Sequence, residues 1–546
     1  MIKKNLSQVS RRLLPTTVHT LLGRVLEKPY WQLVAAKDRY TMHQRIRRVN
    51  KAHARSLAAI RQRFPQKDAI LSKRMPSLQK GCHPSQKDAI LHKRMPSFQR
   101  ERVTVVFLLI HESVWKYDGV YRLLEQDPRY NPLIVVCPYT VYGEAILHDE
   151  MQRAYERFSQ RYTQVYTAWD ADTHSWIDIK ERFNPDLVFF TNPHELTYPQ
   201  YYIHHFEDTL TAYVQYSFHI THLNNMQYNQ PFHNLNWRLY YETPFHNQLA
   251  RTYALNKGRN VVVTGYPGTD TFLDPHYQAK NSWKPTKSTH EDVKSTLEDV
   301  KSTLEDVKST HKNIKRIIWA PHHTIFENDA DLSYSTFLRY ADYFLSLATN
   351  PASPVQLAFK PHPVLKAKLY EHNEWGKQRT DAYYEAWRNA PNGQLEEGDY
   401  VDLFLTSDAM VFDSASFMTE YLYTGKPAQF LINDDRLTER FNTFGCTVFE
   451  HHYHAENQAA IEHFIQDVVI TGNDPLKSKR QTFLQTTLLP PHQRTASANI
   501  VADLNQQLFG EATIDNQPTP VNQATPDNHM TPINTPPNPT SNTPTV

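Results

Sequence analysis

The chain is poor in glycine and cysteine for its size, with 14 and 3 residues in 546. Neither G-x-G-x-x-G nor G-x-x-x-x-G-K-[ST] occurs, so the two usual backbone cradles for phosphate are missing. A phosphate must then be held by side chains or by helix N-termini, whose free N–H groups attract anions. The cysteines, Cys82, Cys137 and Cys446, are odd in number, far apart and without a C-x-x-C pair, which argues against a disulfide framework and a thiolate zinc site. Long apolar runs are absent too. The longest, Val103 to Ile110, has the length of a buried strand and falls well short of the roughly 18 to 20 residues of a membrane-spanning helix. No apolar stretch with a cleavage site follows Lys3, Lys4, Arg11 and Arg12, so the expectation is a protein without a secretory signal, in a reducing cytoplasm.

What is present suits a large globular enzyme. The length exceeds what one hydrophobic core organises and predicts two or three domains. A net charge of +2 conceals an asymmetry: residues 1–102 carry 24 Lys and Arg against 5 Asp and Glu, and the rest carries 35 against 52. Such a basic arm suits nucleic acid, an anionic membrane face, an acidic polymer, or solvent alone. The arm also holds a 20-residue tandem repeat, QKDAILSKRMPS (66–77) recurring as QKDAILHKRMPS (86–97). Two copies are too few for a solenoid, and the repeat reads as a spacer.

From Val103 the texture changes. Short β-rich runs (VTVVFLLI, LIVVC, LVFFT, NVVVT) alternate with stretches long enough for helices, and a second series follows in KRIIWA, VQLAFK, AMVFD and AQFLI. Alternation of this kind implies parallel strands with crossover helices, and two series imply an α/β fold of two Rossmann-like lobes. The predicted boundaries are an arm at 1–102, a first lobe at 103–280, a linker at 281–313, a second lobe at 314–510 and a tail at 511–546. The linker contains three near-identical heptads (287–307), read as repeat expansion in a tolerant loop rather than a coiled coil. The Thr/Pro/Asn-rich tail has too few large apolar residues to offset its ordering entropy and predicts disorder.

The segment SDAMVFDSASFMTEYLYTGKPAQFLI (407–432) reads as strand, acidic-serine turn, helix and next strand. Ser414 and Ser416 fall where the helix begins, able to cap it or to touch a pyrophosphate. This segment resembles the (S/T)D-x-x-x-x-D-x-S-S motif of the CDP-glycerol glycerophosphotransferase family. FKPHP (359–363) is similar to that family's His-Pro signature, IIWAPHHT (317–324) to its A-P-T segment, and VVVTGYPGTDTFL (261–273) to its G-x-P-x-x-D block. The four occur in the family's order over about 103–508. Ser414-Ala415-Ser416 stands in place of adjacent serines, and His322-His323 in place of Thr and an aromatic or Arg. The donor thus stays open between CDP-glycerol, CDP-ribitol and another nucleotide-linked unit.

The resemblance implies a GT-B-like fold in which a CDP-alcohol is held by His322, His323, Lys360, Ser407, Asp408, Asp413, Ser414, Ser416 and a helix N-terminus, with His362 donating to phosphate or departing CMP. The hydroxyl acceptor, on a lipid-linked polymer, needs a base. In TAYVQYSFHITH (211–222), His219 is the candidate, matching the family's W-H-G motif only in its histidine. No cofactor and no metal are implied, and no nucleic-acid partner. The basic arm would hold the enzyme peripherally on the inner membrane face.

Other patterns weigh less. Asp170-Ala171-Asp172 and Asp329-Ala330-Asp331 fit a D-x-D metal pattern that is common by chance, and His451, His452 and His454 beside Glu456 lack a spaced fourth ligand. Two other functions remain open: a glycosyltransferase of the same fold using a nucleotide sugar, and a non-catalytic scaffold on the membrane surface.

Overall fold

The computed structural model describes residues 16–64, 102–285, 314–326 and 332–511. The tandem repeat, the heptads, Asp329-Ala330-Asp331 and the chain from 512 onward lie outside the described residues.

Two parallel sheets organise the chain. The first has seven strands, β1 (Val103–Leu109), β2 (Tyr130–Val136), β3 (Val165–Thr167), β4 (Leu187–Phe190), β5 (Leu210–Val214), β6 (Arg238–Tyr241) and β7 (Val261–Val263), in the order β3-β2-β1-β4-β5-β6-β7. The second has six, β8 (Lys315–Ala320), β9 (Val355–Phe359), β10 (Gly393–Leu395), β11 (Ala409–Phe412), β12 (Ala428–Leu431) and β13 (Tyr453–Ala455), in the order β10-β9-β8-β11-β12-β13. Each sheet therefore grows outward from its first strand, reversing direction between the first and fourth. This is the doubly wound α/β order, with a topological switch point at β1/β4 and another at β8/β11.

The central strands are apolar on both faces because both faces are covered. In β1 every residue but Thr104 is buried. Phe107 lies opposite Ile134 on one side and Phe189 on the other, its ring stacked on Phe189 at 4.9 Å. In the second lobe Trp319 of β8 stacks on Phe359 of β9 at 5.0 Å and on Phe344 at 4.5 Å, fixing strand against strand and helix against sheet.

Two boundaries differ from the sequence expectation. The described part of the arm forms one helix, α1 (Thr16–Arg63), whose second half is part of the first lobe. Ile46, Val49 and Ile60 enter that lobe's core, Arg63 pairs with Asp186 at 2.7 Å, and Arg45 and Arg48 both pair with Glu207. The last helix, which we name α2 (Ala496–Phe509), leaves the second lobe and buries Ile500, Leu504 and Leu508 in the first-lobe core. Its start is tied down by Asp270, whose carboxylate accepts the backbone N–H groups of Ala496 and Ser497 at 2.8 and 2.9 Å. Nearby Gly265, at φ +87, lies so close to Pro490 that a Cβ would overlap its ring. The G-x-P-x-x-D block thus receives the returning chain.

Among the described residues no helix is long and apolar enough to cross a membrane.

Candidate functional site

Ligands of open α/β sheets sit beyond the carboxyl ends of the strands at the switch point. In the second lobe those ends are the segments after β8, β9 and β11, which carry His322 and His323, Lys360 and His362, and Asp413, Ser414 and Ser416. The backbone enforces their approach: beyond β9 the N–H of Lys360 still bonds to Trp319 O at 2.8 Å, and that of His362 to Pro321 O at 3.1 Å.

The result is a cluster of three imidazoles. Ring centres are 4.3 Å apart for His322–His323 and for His323–His362, and 5.2 Å for His322–His362. One nitrogen from each lies within 4.8 Å of the others, a spacing that a transition metal could also use. Their hydrogen bonds favour a different role. His362 Nδ1 accepts the N–H of Val364 at 3.2 Å, which leaves the ring proton on Nε2, where it serves as a donor. His322 Nδ1 meets Thr324 Oγ1 at 2.9 Å. Burial, then the neighbouring imidazoles and Lys368, lower the His322 pKa far below its usual value. Burial followed by His323, Lys368 and Lys360 brings His362 down to about 3. Both rings are neutral at physiological pH. Lys368 carries no signal in the sequence, since it stands on the helix after the His-Pro pair rather than within it.

Asp413 has a structural task. Fully buried, it accepts the backbone N–H of His322 and both the N–H and, at 2.7 Å, the hydroxyl of Thr336, which heads the helix Phe337–Thr349. Burial raises its pKa to about 6, against the pull of those bonds. Its side chain is therefore committed to the loop.

Ser414 is 3% exposed and Ser416 half-buried. Ser416 makes no capping bond, so its hydroxyl is not consumed by the helix it precedes. That helix is a single turn, Phe417–Glu420, continuing as the 3-10 turn Tyr421–Thr424. It is too short to supply the helix-end field expected from the sequence. Lys360 is buried, its pKa lowered by burial, and its ammonium donates to Gly398 O.

Ser407 and Asp408 are placed elsewhere, before β11, at the opposite end of the strand from Ser414. Ser407 donates to Phe404 O and meets the Tyr421 hydroxyl, and Asp408 accepts Arg316 N–H at 2.9 Å at the start of β8. Both thus lie at the amino ends of the central strands, away from the segments that carry His322, His362 and Ser414.

In the first lobe, the loop after β5 carries His219 across to the second lobe. Thr221 forms an antiparallel bridge with Phe441, and Asn442 donates to the carbonyl of His219 at 2.7 Å. A Cβ at Gly445 would collide with the Ile220 carbonyl, so the close approach requires glycine. The His219 ring is 3% exposed, and neither ring nitrogen has a hydrogen-bond partner among the described residues. Burial, with His246, His233 and His194 nearby, holds its pKa well below the usual value. It is a free acceptor but, in this state, a weak base.

The remaining patterns resolve locally. His451, His452 and His454 bond to three different carbonyls, of Thr447, Met418 and Phe449. Asp170 accepts the N–H groups of Asp172 and Thr173 in a tight turn.

No protein-family model matches the sequence, and no curated protein matches it. Among solved structures the chain is similar to a putative UDP-N-acetylglucosamine 2-epimerase from Listeria monocytogenes, with 12% identity, a TM-score of 0.45, and 76% of this chain and 98% of that one covered. It is also similar to the UDP-GlcNAc 2-epimerase from Neisseria meningitidis bound to UDP-GlcNAc, with 14% identity, a TM-score of 0.42, and 75% and 100% covered. A third is the wall teichoic acid polymerase TagF, with 13% identity, a TM-score of 0.40, and 75% and 90% covered.

Proposed function

We propose that this chain transfers a glycerol-phosphate or related alditol-phosphate unit from a CDP-alcohol to a hydroxyl of a lipid-linked surface polymer, releasing CMP. The observation that carries this reading is the meeting of His322, His323 and His362 at the second switch point, where Asp413, the neighbour of Ser414 in the chain, holds the backbone of His322. Neutral imidazole N–H and serine hydroxyl groups donate to diphosphate oxygens without a glycine loop. Lys360 and Lys368 supply positive potential nearby.

In the reaction the acceptor oxygen attacks the β-phosphorus, the bridging P–O bond breaks, and its electrons leave with CMP. Negative charge grows on the departing α-phosphate. The Nε2–H of His362 is the donor assigned to it, and a preorganised donor in a buried site is worth most where charge develops. The acceptor proton goes to His219. Its basicity rises when an anionic donor enters the cleft, because nearby negative charge favours the imidazolium.

Thermal stabilisation by ligands that bind the native state tests the reading. A rise in Tm with CDP-glycerol, CDP-ribitol and CMP, but not with UDP-glucose or GDP-mannose, is expected. A rise with nucleotide sugars alone would identify a glycosyltransferase, and no rise with any would leave the scaffold.

A further inference from the structure

Buried polar atoms in folded proteins nearly always have partners, and a cluster of them without partners marks a place built for something else polar. The first lobe contains such a cluster around the ends of β5 and β6. His219, Tyr228, His233, Tyr241, Glu242 and His246 are all between 0 and 3% exposed. Six of their side-chain atoms have no hydrogen-bond partner among the described residues: both ring nitrogens of His219 and of His233 and the hydroxyls of Tyr228 and Tyr241.

The six side chains form one group. The ring of Tyr228 is 5.9 Å from that of His219 and 5.9 Å from that of Tyr241. Glu242 lies 3.7 Å from Nδ1 of His246, whose own partner is the Thr243 hydroxyl at 2.8 Å. His219 is within electrostatic reach of His246 and His233, and Glu242 within reach of Tyr228 and Tyr241.

The chemistry is that of hydroxyl recognition. The imidazoles are neutral, since burial lowers His233 and His246 to about 3 and His219 well below its normal value. Burial raises Glu242 to about 8, with only partial relief from nearby backbone amides, so at neutral pH it is mainly an uncharged acid. The group therefore offers several donors and acceptors and no cation. A phosphate would meet no compensating charge, and an apolar ligand would leave the polar atoms unsatisfied.

We propose that these six side chains line a binding site for the uncharged, hydroxyl-rich end of a sugar or alditol. As a binding site this stands apart from the donor chemistry. Only its identification with the acceptor's reacting end, set against His219, rests on the reading above.

The test uses the full chain without any nucleotide. Binding of glycerol, ribitol, glucose and N-acetylglucosamine is followed by saturation-transfer NMR and by Tm, against sn-glycerol 3-phosphate as the anionic comparison. Tyr228→Phe is the decisive variant, because it removes a hydroxyl that has no partner among the described residues. It should melt at or above the wild-type temperature and bind the best neutral polyol about tenfold more weakly, the equivalent of one lost hydrogen bond. Tyr241→Phe provides the same comparison at the neighbouring ring should the first variant fold poorly. Failure of every neutral polyol to bind, unchanged affinity in both variants, or preferential binding of the phosphate ester would each overturn the proposal. Because no donor is present, a failure of the CDP-alcohol reading would leave these outcomes unchanged.

Discussion

The buried carboxylate of Asp413 accepts the backbone N–H of His322, so the acidic residue after β11 sets the position of the imidazole after β8. The same carboxylate holds Thr336, and three segments meet on one side chain. Asp413→Asn replaces one acceptor oxygen by a donor facing those N–H and hydroxyl groups. The expected cost is about 2 kcal/mol in urea unfolding, the scale of a hydrogen bond to a charged group. CMP affinity should fall with it, although Asp413 need not touch the ligand. Calorimetry with CMP checks the second part.

His362 and Ser416 should respond differently from Asp413. His362→Ala removes the Nε2 donor and the acceptor of Val364 N–H, and a fall in kcat of about 100-fold is expected for a donor that stabilises developing charge. Ser416→Ala should leave Tm unchanged, because the hydroxyl makes no cap bond, while weakening donor binding. A loss of stability in Ser416→Ala without loss of binding would return the residue to a structural role.

Acid should unfold the chain early. His233, His246, His362 and His452 are held at about 3 in the folded state, against 6.5 for an unperturbed imidazole. Their neutral burial contributes stability that is fully present above about 6.5 and is lost as pH falls toward 3, because the unfolded chain takes up protons first. Glu242 works in the opposite sense. Its raised pKa gives stability that is complete below about 4.5 and lost as pH rises through 8. Glu242→Gln should therefore raise Tm at pH 9 more than at pH 5. Thermal scans across that range give both slopes.

On α1 the exposed Lys37, Arg39, Arg47, Lys51 and Arg55 lie outside the contacts made by Ile46, Val49 and Ile60. If this face meets an anionic bilayer, binding to phosphatidylglycerol vesicles should weaken by roughly 30-fold when two of these residues are changed to Ala, at about 1 kcal/mol per basic residue. It should also weaken as salt is raised. Equal binding to neutral and anionic vesicles would count against the membrane role.

The sheets were legible where the strands are fully apolar. VTVVFLLI, LVFFT, KRIIWA and AMVFD became β1, β4, β8 and β11, the four strands that flank the two switch points. Edge strands such as GQL at 393–395 and YHA at 453–455 were not, because three residues with polar members carry no period. In the site, residues adjacent to strand ends could be located from the chain alone. Whether an acid such as Asp413 faces a ligand or a backbone N–H depends on loops distant in sequence, and so could not be. Glu242 was invisible for a similar reason: a glutamate before a helix beginning with Pro244 looks like an ordinary helix start, and only tertiary burial removes it from water and raises its pKa.

The return of the final helix to the first lobe has a consequence for synthesis on the ribosome. Strands β1 to β7 emerge early, yet the apolar surface that Ile500, Leu504 and Leu508 cover stays open until nearly the whole described chain has been made. The second lobe, contiguous apart from that helix, can close first. The lobe begun first is thus finished last, and during that interval its uncovered core surface is the place where a nascent chain would need a chaperone or risk association with its neighbours.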